Sequence, residues 1–553
     1  MIRRGAIALA AILVAACTSS PATDGVTTST DGPGTTSSGG SEDAADPPPP
    51  AEPGLGCWAV DPYNGDGEIV FEDVTESVGL VTPLTGMHGH TAIWSDVDGD
   101  DRADLYVGTF ADREDEVYEV RGAEGPSPDR LLLGGDGSTF TVDSSIPETY
   151  SRSSGGVGAD LDGDGDLDLV VSRNTDEPEP GQAPTQLLEN VDGTLRVVED
   201  SGVPDDLGGR TVGVLDYDQD GLEDLFIAED RFAGETSVLF RNDGELHFSD
   251  VSAEAGIPDG VHGLGVAIAD FDEDGLSDIF VAGSNRLFLS DGPGVFVEAD
   301  SSVFEWELYG DEDDVAGASV ADVNRDGLLD LALGQHFNST LEFDETVSVR
   351  LYLNEGEGRF RDVTDEAGLT ALPTKAPHVE LNDFDNDGWP DLLTSASAGT
   401  GPALFVNQGL EDEVPTFSTP EGLGDPQYWV AAPTVDYDRD GRLDVFLLEW
   451  EPSLPSIMLR NVTETGNWLE VSVGPEDGFG IGWRVEVLDG DTIVGARDIT
   501  VTQGYSAGVL PIAHFGLGDL DEVDVRLTPP GGADPIAIGS VTANQHIRWP
   551  DGC

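Results

Sequence analysis

The residues with the plainest chemistry lie in Asp160-Leu161-Asp162-Gly163-Asp164-Gly165-Asp166-Leu167-Asp168, where carboxylates recur at alternating positions around a glycine. A hard cation needs an oxygen cage: side chains at positions 1, 3 and 5, a carboxylate at 9, a backbone carbonyl near 7, and a residue tolerating a sharp turn at 6. This segment supplies every part. Without a cation, the crowded carboxylates would repel one another and take up protons. The pattern therefore predicts a calcium loop, against the plainer reading of a solvated acidic turn.

The loop is written seven times. The expected metal ligands are Asp96, Asp98, Asp100 and Asp104; Asp160, Asp162, Asp164 and Asp168; Asp216, Asp218, Asp220 and Asp224; and Asp270, Asp272, Asp274 and Asp278. The series continues with Asp322, Asn324, Asp326 and Asp330; Asp383, Asp385, Asp387 and Asp391; and Asp436, Asp438, Asp440 and Asp444. Asp101 stands where glycine is usual, and Asn324 keeps an oxygen but removes a charge. Calcium at about seven sites is the expected cofactor.

Strands must hold these loops. Asp96 and Asp436, six steps apart, give a period of about 57 residues, which suits a four-stranded propeller blade with generous connections. A Gly/Ala-rich apolar segment such as Leu264 to Ala269 leads into each loop, and a second strand such as Ile279 to Ala282 leaves it. A third strand, such as Arg350 to Leu353, turns through Asp-Gly, Glu-Gly or Gly-Pro pairs into a fourth segment, as in Phe360-Arg361-Asp362-Val363-Thr364. The fold expected is all-β, a seven-bladed β-propeller.

Counting the fourth segment adds a prediction. It follows loops one to six, at Phe140, Leu195, Phe248, Phe296, Phe360 and Phe417, but no copy follows loop seven. The missing copy precedes loop one, as Phe71-Glu72-Asp73-Val74-Thr75. Residues 71–75 are thus expected to supply the outer strand of the last blade and close the ring, removing exposed sheet edges.

These units resemble FG-GAP/VCBS repeats, the calcium-loop blades also found in integrin α-subunit propellers, over residues from about 65 to 461. The resemblance implies that each Asp-rich loop joins the first two strands of its blade and binds calcium, with Asp101 and Asn324 marking the two atypical sites. Beyond Asn461, segments such as Trp468 to Val473 and Val523 to Leu527 alternate as strands of a small β domain. Asn467-Trp468-Leu469, Gly480 to Val485, Gly504-Tyr505-Ser506 and His514 to Gly518 together resemble the ASPIC and UnbV C-terminal domain, found behind such repeats in the cartilage acidic protein family and its bacterial relatives.

Composition bears on the compartment. The 109 acidic residues against 25 basic give a net charge of -84, and Lys375 is the only lysine. Such a surface repels nucleic acid and anionic membrane faces and suits a calcium-containing exterior. Arg3 and Arg4 precede an apolar run too short to span a bilayer, and Val14-Ala15-Ala16-Cys17 resembles a bacterial lipobox. The domains expected are a lipoprotein signal peptide at 1–16, a tether at 17–56, the propeller at 57–461, and the ASPIC and UnbV-like domain at 462–553. Cys17 is the expected lipidation site, giving an exported chain anchored at the bacterial cell envelope by its lipid. The alternative is an ordinary secretory signal. The Ser, Thr, Gly and Pro-rich tether would span roughly 35 Å as a random coil. The remaining cysteines, Cys57 and Cys553, form an even pair, and a disulfide would clip the ends of the folded region together. Such a clip stabilises by up to about 5 kcal/mol in the entropic model.

Other chemistries were weighed against the β context. Gly504-Tyr505-Ser506-Ala507-Gly508 fits a nucleophile-elbow pattern, but an elbow needs a strand-to-helix turn and a well-separated acid and histidine, so a glycine-rich turn is expected. His88, His90, His262 and His378 lie on or just before first strands, which line a propeller channel; converging imidazoles could bind a transition metal, or simply line a wet channel. Paired carboxylates for glycoside hydrolysis have no distinctive candidates among so many aspartates. The function expected is a calcium-binding propeller acting as a binding or adhesion module for an extracellular protein or glycan. The alternative is a secreted propeller enzyme acting on polysaccharide or another exported substrate.

Overall fold

Each aspartate loop is the turn of a β-hairpin. In all seven repeats the residue before loop position 1 pairs with position 9: Ser95 with Asp104, Ala159 with Asp168, Leu215 with Asp224, Ala269 with Asp278, Ala321 with Asp330, Asn382 with Asp391 and Val435 with Asp444. The computed structural model describes residues 56–60, 69–111, 115–120, 125–175, 182–230, 236–305, 313–337, 349–369, 377–395, 402–418, 421–423, 429–464, 466–550 and 552. The expected signal peptide, nearly all of the tether, Cys17 and Cys553 lie outside the described residues.

Seven sheets succeed one another along the chain: the second to sixth have four strands, and the first and seventh have five. Their innermost strands are Gly89–Ser95, Ser153–Ala159, Gly209–Leu215, Gly263–Ala269, Asp313–Ala321, Val379–Asn382 and, in the seventh, Trp429–Ala431 with Thr434–Val435. The strand Ser153–Ala159 is buried at every position, which is why it is small and apolar instead of alternating. The seventh innermost strand is interrupted at Pro433, which has no N–H to give a ladder; its carbonyl instead accepts a hydrogen bond from Trp94 Nε1 at 3.4 Å.

The outermost strand of the seventh sheet is Phe71–Asp73, antiparallel to Ile457–Asn461 with Phe71 opposite Asn461. A single apolar cluster joins Val435, Phe446 and Leu448 of sheet seven to Trp94, Leu105 and Val107 of sheet one, so first and last sheets pack together. Equivalent clusters lie between sheets three and four, four and five, five and six, and six and seven. Sheet six departs from the pattern. Its third strand is split into Ala403–Phe405 and Asn407–Glu411, with Val414–Phe417 pairing the second half and Glu421–Gly422 the first.

The C-terminal domain consists of two further four-stranded sheets around Trp483, Val485, Phe515 and Leu527. One contains Asn467–Val473, Ile512–Gly518 and Gln545–Trp549, and its edge strand is Gly56–Ala59. The sequence boundary that assigned residues from 57 onward to the propeller is therefore corrected at its start. Gly56–Ala59 hydrogen-bonds to Gln545–Trp549, and Trp58 packs on His546 with ring centroids 4.1 Å apart. Residues from Pro53 to Cys553 form one compact unit.

Candidate metal centres

The loops place carboxylates as a divalent cation would need them, with one change from expectation. In the loops beginning at Asp96, Asp160, Asp216, Asp270 and Asp383, the residues at positions 1, 3 and 9 bring carboxylate oxygens within 4.8 Å of one another. The position-5 aspartate instead accepts the backbone N–H of position 7, as Asp220 Oδ1 does from Leu222 at 3.0 Å and Asp274 Oδ1 from Leu276 at 2.9 Å. Position 1 accepts backbone N–H groups too: Asp216 takes those of Asp220 and Gly221 at 3.1 and 3.0 Å. Position 6 has positive φ in every loop, with Gly221 at 89° and Asp101 at 65°. Aspartate tolerates the left-handed region better than most residues, which is how the first loop keeps its shape without glycine.

Position 9 braces each loop. Asp330 Oδ2 accepts the N–H of Val323 at 3.0 Å and its Oδ1 that of Asn354 at 2.8 Å; Asp168, Asp224 and Asp391 repeat the arrangement. Burial is the largest influence on these carboxyls and pushes them up, with the neighbouring aspartates adding to it. Asp96 rises to about 6, Asp104 to about 7, Asp168 and Asp224 to about 8, and Asp270 and Asp322 to about 7. Asp330, Asp391 and Asp444 are held well above the usual carboxylate range for the same reasons. All-oxygen donors, crowded and pushed toward protonation, fit a hard divalent cation.

Loop seven differs. Arg460 Nε lies 2.7 Å from Asp438, and Arg442 and Arg460 both pair with Asp440. Two guanidiniums thus occupy the charge that a cation would neutralise.

A set of residues escaped sequence reading. At the end of the third strand, Asn190, Asn242, Asn354, Asn407 and Asn461 each donate a side-chain amide to a carbonyl in the loop of the preceding sheet: Val97, Leu161, Phe271, Val323 and Phe384. Sheet four has Ser290 at this place, and there the backbone N–H of Gly294 reaches Tyr217 O at 2.8 Å. The recurrence of asparagine ahead of the third-strand turn in five of the seven repeats was the available signal.

The C-terminal domain meets the loop end of the ring at several points. Arg548 pairs with Asp101 of loop one at 2.8 Å, and the Gly531 N–H donates to Gly275 O of loop four at 2.7 Å. Asp498 accepts the N–H of Asp270 at 2.9 Å, and Arg325 of loop five donates to Val494 O at 2.8 Å. In loop six, Asn386 Oδ1 lies 2.8 Å from His514 Nε2, and the Gly518 N–H donates to Asn386 O at 2.8 Å. A methyl added at Gly441 of loop seven would fall on the Trp468 indole. Behind this contact Glu470 is buried between His514 and His546. Burial pushes its carboxyl up, but hydrogen bonds from the two imidazoles outweigh that and hold it at about 2.

The Gly504 to Gly508 motif fills the centre of the ring. Ala507–Gly508 pairs in parallel with Ala92–Ile93 of sheet one, and Gly504 bridges Ala318 of sheet five. Ser506 Oγ donates to Ser154 O at 2.7 Å and Thr91 Oγ1 donates to Ser506 O at 2.8 Å. Thr502 Oγ1 donates to Val212 O at 2.5 Å, and the Tyr505 N–H donates to His378 Nδ1 at 3.2 Å. Ser506 is fully buried, so its hydroxyl meets backbone, not substrate. Of the four channel histidines, His88 and His90 join one aromatic cluster with Trp450, His378 is bound to the plug and to Glu380, and His262 is half-buried.

Residues 216–281, 271–333, 341–394 and 383–447 match the FG-GAP-like repeat. Cartilage acidic protein 1 of Homo sapiens is 29% identical over 385 residues, covering 63% of this chain and 55% of that protein. Its Xenopus tropicalis counterpart is 27% identical over 381 residues, covering 63% of this chain and 56% of that protein. The chain thus spans about half the length of the curated relatives it matches. Among solved structures, rhamnogalacturonan lyase YesW aligns over 74% of this chain and 75% of its own at 13% identity and a TM-score of 0.37, too distant to inform activity. The chain thus carries FG-GAP-like repeats and is similar in sequence to cartilage acidic protein 1.

Proposed function

We propose that this protein is an exported calcium-dependent binding module that presents a ring of repeats to an extracellular protein or glycan. The observation that carries the reading is the plug: segment 500–510 runs through the centre of the ring, where Ala507–Gly508 pairs with Ala92–Ile93 and the buried Ser506 hydroxyl is bonded to Ser154 O, and the cavity left beside Glu380, Asn382 and Gln503 is only about 80 Å³. Calcium occupies loops one to four and six through positions 1, 3 and 9, supported by the converging carboxylates and their raised pKa values, and loop five with Asn324 in place of the position-3 carboxylate. Loop seven binds weakly, because Arg442 and Arg460 already pair with its aspartates.

The cations neutralise loops against which the C-terminal domain packs, so their binding stabilises ring and cap together. Export and lipid attachment at Cys17 follow from the N-terminal pattern, and a Cys57–Cys553 disulfide from the pairing of Gly56–Ala59 with Gln545–Trp549, near the end of the chain. A glycan array and surface-proteome capture, each with calcium and with chelator, test the reading. Calcium-dependent capture of a defined ligand is expected. Turnover of a polysaccharide by the purified chain would overturn it.

A further inference from the structure

Apolar and polar residues alternate along the strand Asn467–Val473. Leu469, Val471 and Val473 join the core of the C-terminal domain, which turns Glu470 and Ser472 to the opposite face. Gln545–Trp549 lies parallel beside this strand, with His546 opposite Glu470 and Arg548 opposite Ser472. The register thus brings four polar side chains onto one face. Ser472 Oγ lies 2.7 Å from His546 Nε2, and His546 Nδ1 lies 3.1 Å from Glu470 Oε2. Arg548 Nε donates to the Ser472 oxygen at 3.4 Å, while another nitrogen of the same guanidinium is held by Asp101 at 2.8 Å.

The buried Glu470 takes hydrogen bonds from His514 and His546 and has no need of Ser472. Once the Nδ1–H of His546 is given to Glu470, its Nε2 is an acceptor, and the Ser472 hydroxyl donates to it. Burial, more than any charge, pushes His546 below its usual range, and Arg548 and Arg439 add to that against the pull of Glu470, so the imidazole is neutral and free to take a proton. A hydroxyl, a neutral imidazole and an ionised carboxylate in hydrogen-bonded sequence activate a serine nucleophile, and the arrangement is recognised by geometry whatever the chain order. Ser472 is 4% exposed, and it borders a cavity of about 40 Å³ together with His546 and Arg548. The other walls include Leu167, Phe479, Leu510 and Pro511, of which Phe479 and Leu510 are half-buried. This space is apolar and suits an acetyl group, not a sugar ring.

We propose that Ser472 is a nucleophile and that this cavity hydrolyses short acyl esters. Ser472 Oγ attacks the acyl carbon as its proton passes to His546 Nε2, and the carbonyl oxygen becomes an oxyanion facing the Arg548 guanidinium. Collapse breaks the bond to the alkoxy oxygen, which leaves as the alcohol with the proton from Nε2, and the acyl group stays on Ser472. Water then attacks the acyl-serine with the same imidazole as base, releasing the carboxylic acid and restoring the hydroxyl. The inference goes beyond the binding reading and does not depend on it, since deacylation cuts no glycosidic bond.

The test treats the full chain, with calcium present, with methanesulfonyl fluoride, whose sulfonyl group is close to an acetyl in size, and locates the modified residue by peptide mass spectrometry. Single labelling at Ser472 is expected, and its loss in urea. Turnover of p-nitrophenyl acetate is expected as well, with the octanoate at least about tenfold slower because its chain overfills the cavity. Ser472→Ala should abolish label and turnover, and His546→Gln should lower turnover at least about a hundredfold, the share of a positioned base. Glu470→Gln should lower kcat with KM unchanged, because the acid touches the imidazole and not the ester. Should a variant disturb folding, the label on the unaltered chain still decides. A folded chain left unlabelled at Ser472, turnover equal in wild type and Ser472→Ala, or octanoate hydrolysed as fast as acetate overturns the inference.

Discussion

Asn354 donates its side-chain amide to the carbonyl of Phe271 at 2.8 Å, fastening the fifth sheet to the aspartate loop of the fourth. The same amide reaches Leu329 O at 3.1 Å, and its backbone N–H donates to Asp330. One residue thus couples a loop, its own sheet and the neighbouring sheet. Replacing Asn354 with Leu leaves two buried carbonyls without this donor and is expected to destabilise the fold by about 2 kcal/mol. Chemical denaturation measures the loss. Wild-type stability in Asn354→Leu would refute the role of the strap.

The loops make stability depend on pH when calcium is absent. In the absence of cation, Asp104 and Asp270 rise to about 7 and Asp168 and Asp224 to about 8, against about 4 for an unfolded carboxylate. A raised folded pKa gives stability that is complete below the unfolded value and is lost as the pH rises through the folded value. In chelator the melting temperature should therefore fall between about pH 5 and pH 8. Calcium, which holds the carboxylates ionised, should remove that slope and raise the melting temperature at pH 8. Calorimetry across this window decides, and a chelated protein with a flat profile would contradict it.

Loop seven offers a gain of function. Arg460 lies 2.7 Å from Asp438 and also pairs with Asp440. Arg460→Gln should free Asp438 and raise calcium affinity at that loop, read as one additional site in equilibrium dialysis. An unchanged stoichiometry and affinity would show that the guanidinium does not compete.

Gly441 reports on docking of the C-terminal domain. Its φ of +83° disfavours an L side chain, and an added methyl would overlap Trp468. Gly441→Ala should cost about 1–2 kcal/mol from the backbone and a further ~1–3 kcal/mol from overpacking. Gly137, at φ +84° with open space around it, is the control and should show the backbone cost alone. Equal losses in the two variants would mean that Trp468 yields freely.

The sequence by itself determined the repeat, the hairpin loops and the place where the ring closes. These follow from local rules: position 6 needs a left-handed residue, position 9 caps its own hairpin, and the Phe71 segment has no blade of its own until it reaches Asn461. Periodicity makes such features visible because each copy repeats the same short-range contacts. Other features were decided only in three dimensions. That Asp220 and its equivalents cap backbone instead of joining the carboxylate cluster depends on side-chain direction, which residue type does not encode. The asparagine straps, the C-terminal domain packed against the loops, the strand at Cys57 lent to that domain and the plug at Tyr505 all join residues far apart in sequence. Their partners become neighbours only once the ring has closed. Gly504 to Gly508 shows the difference most plainly, for five residues that read as a local turn are fixed by strands from around the ring.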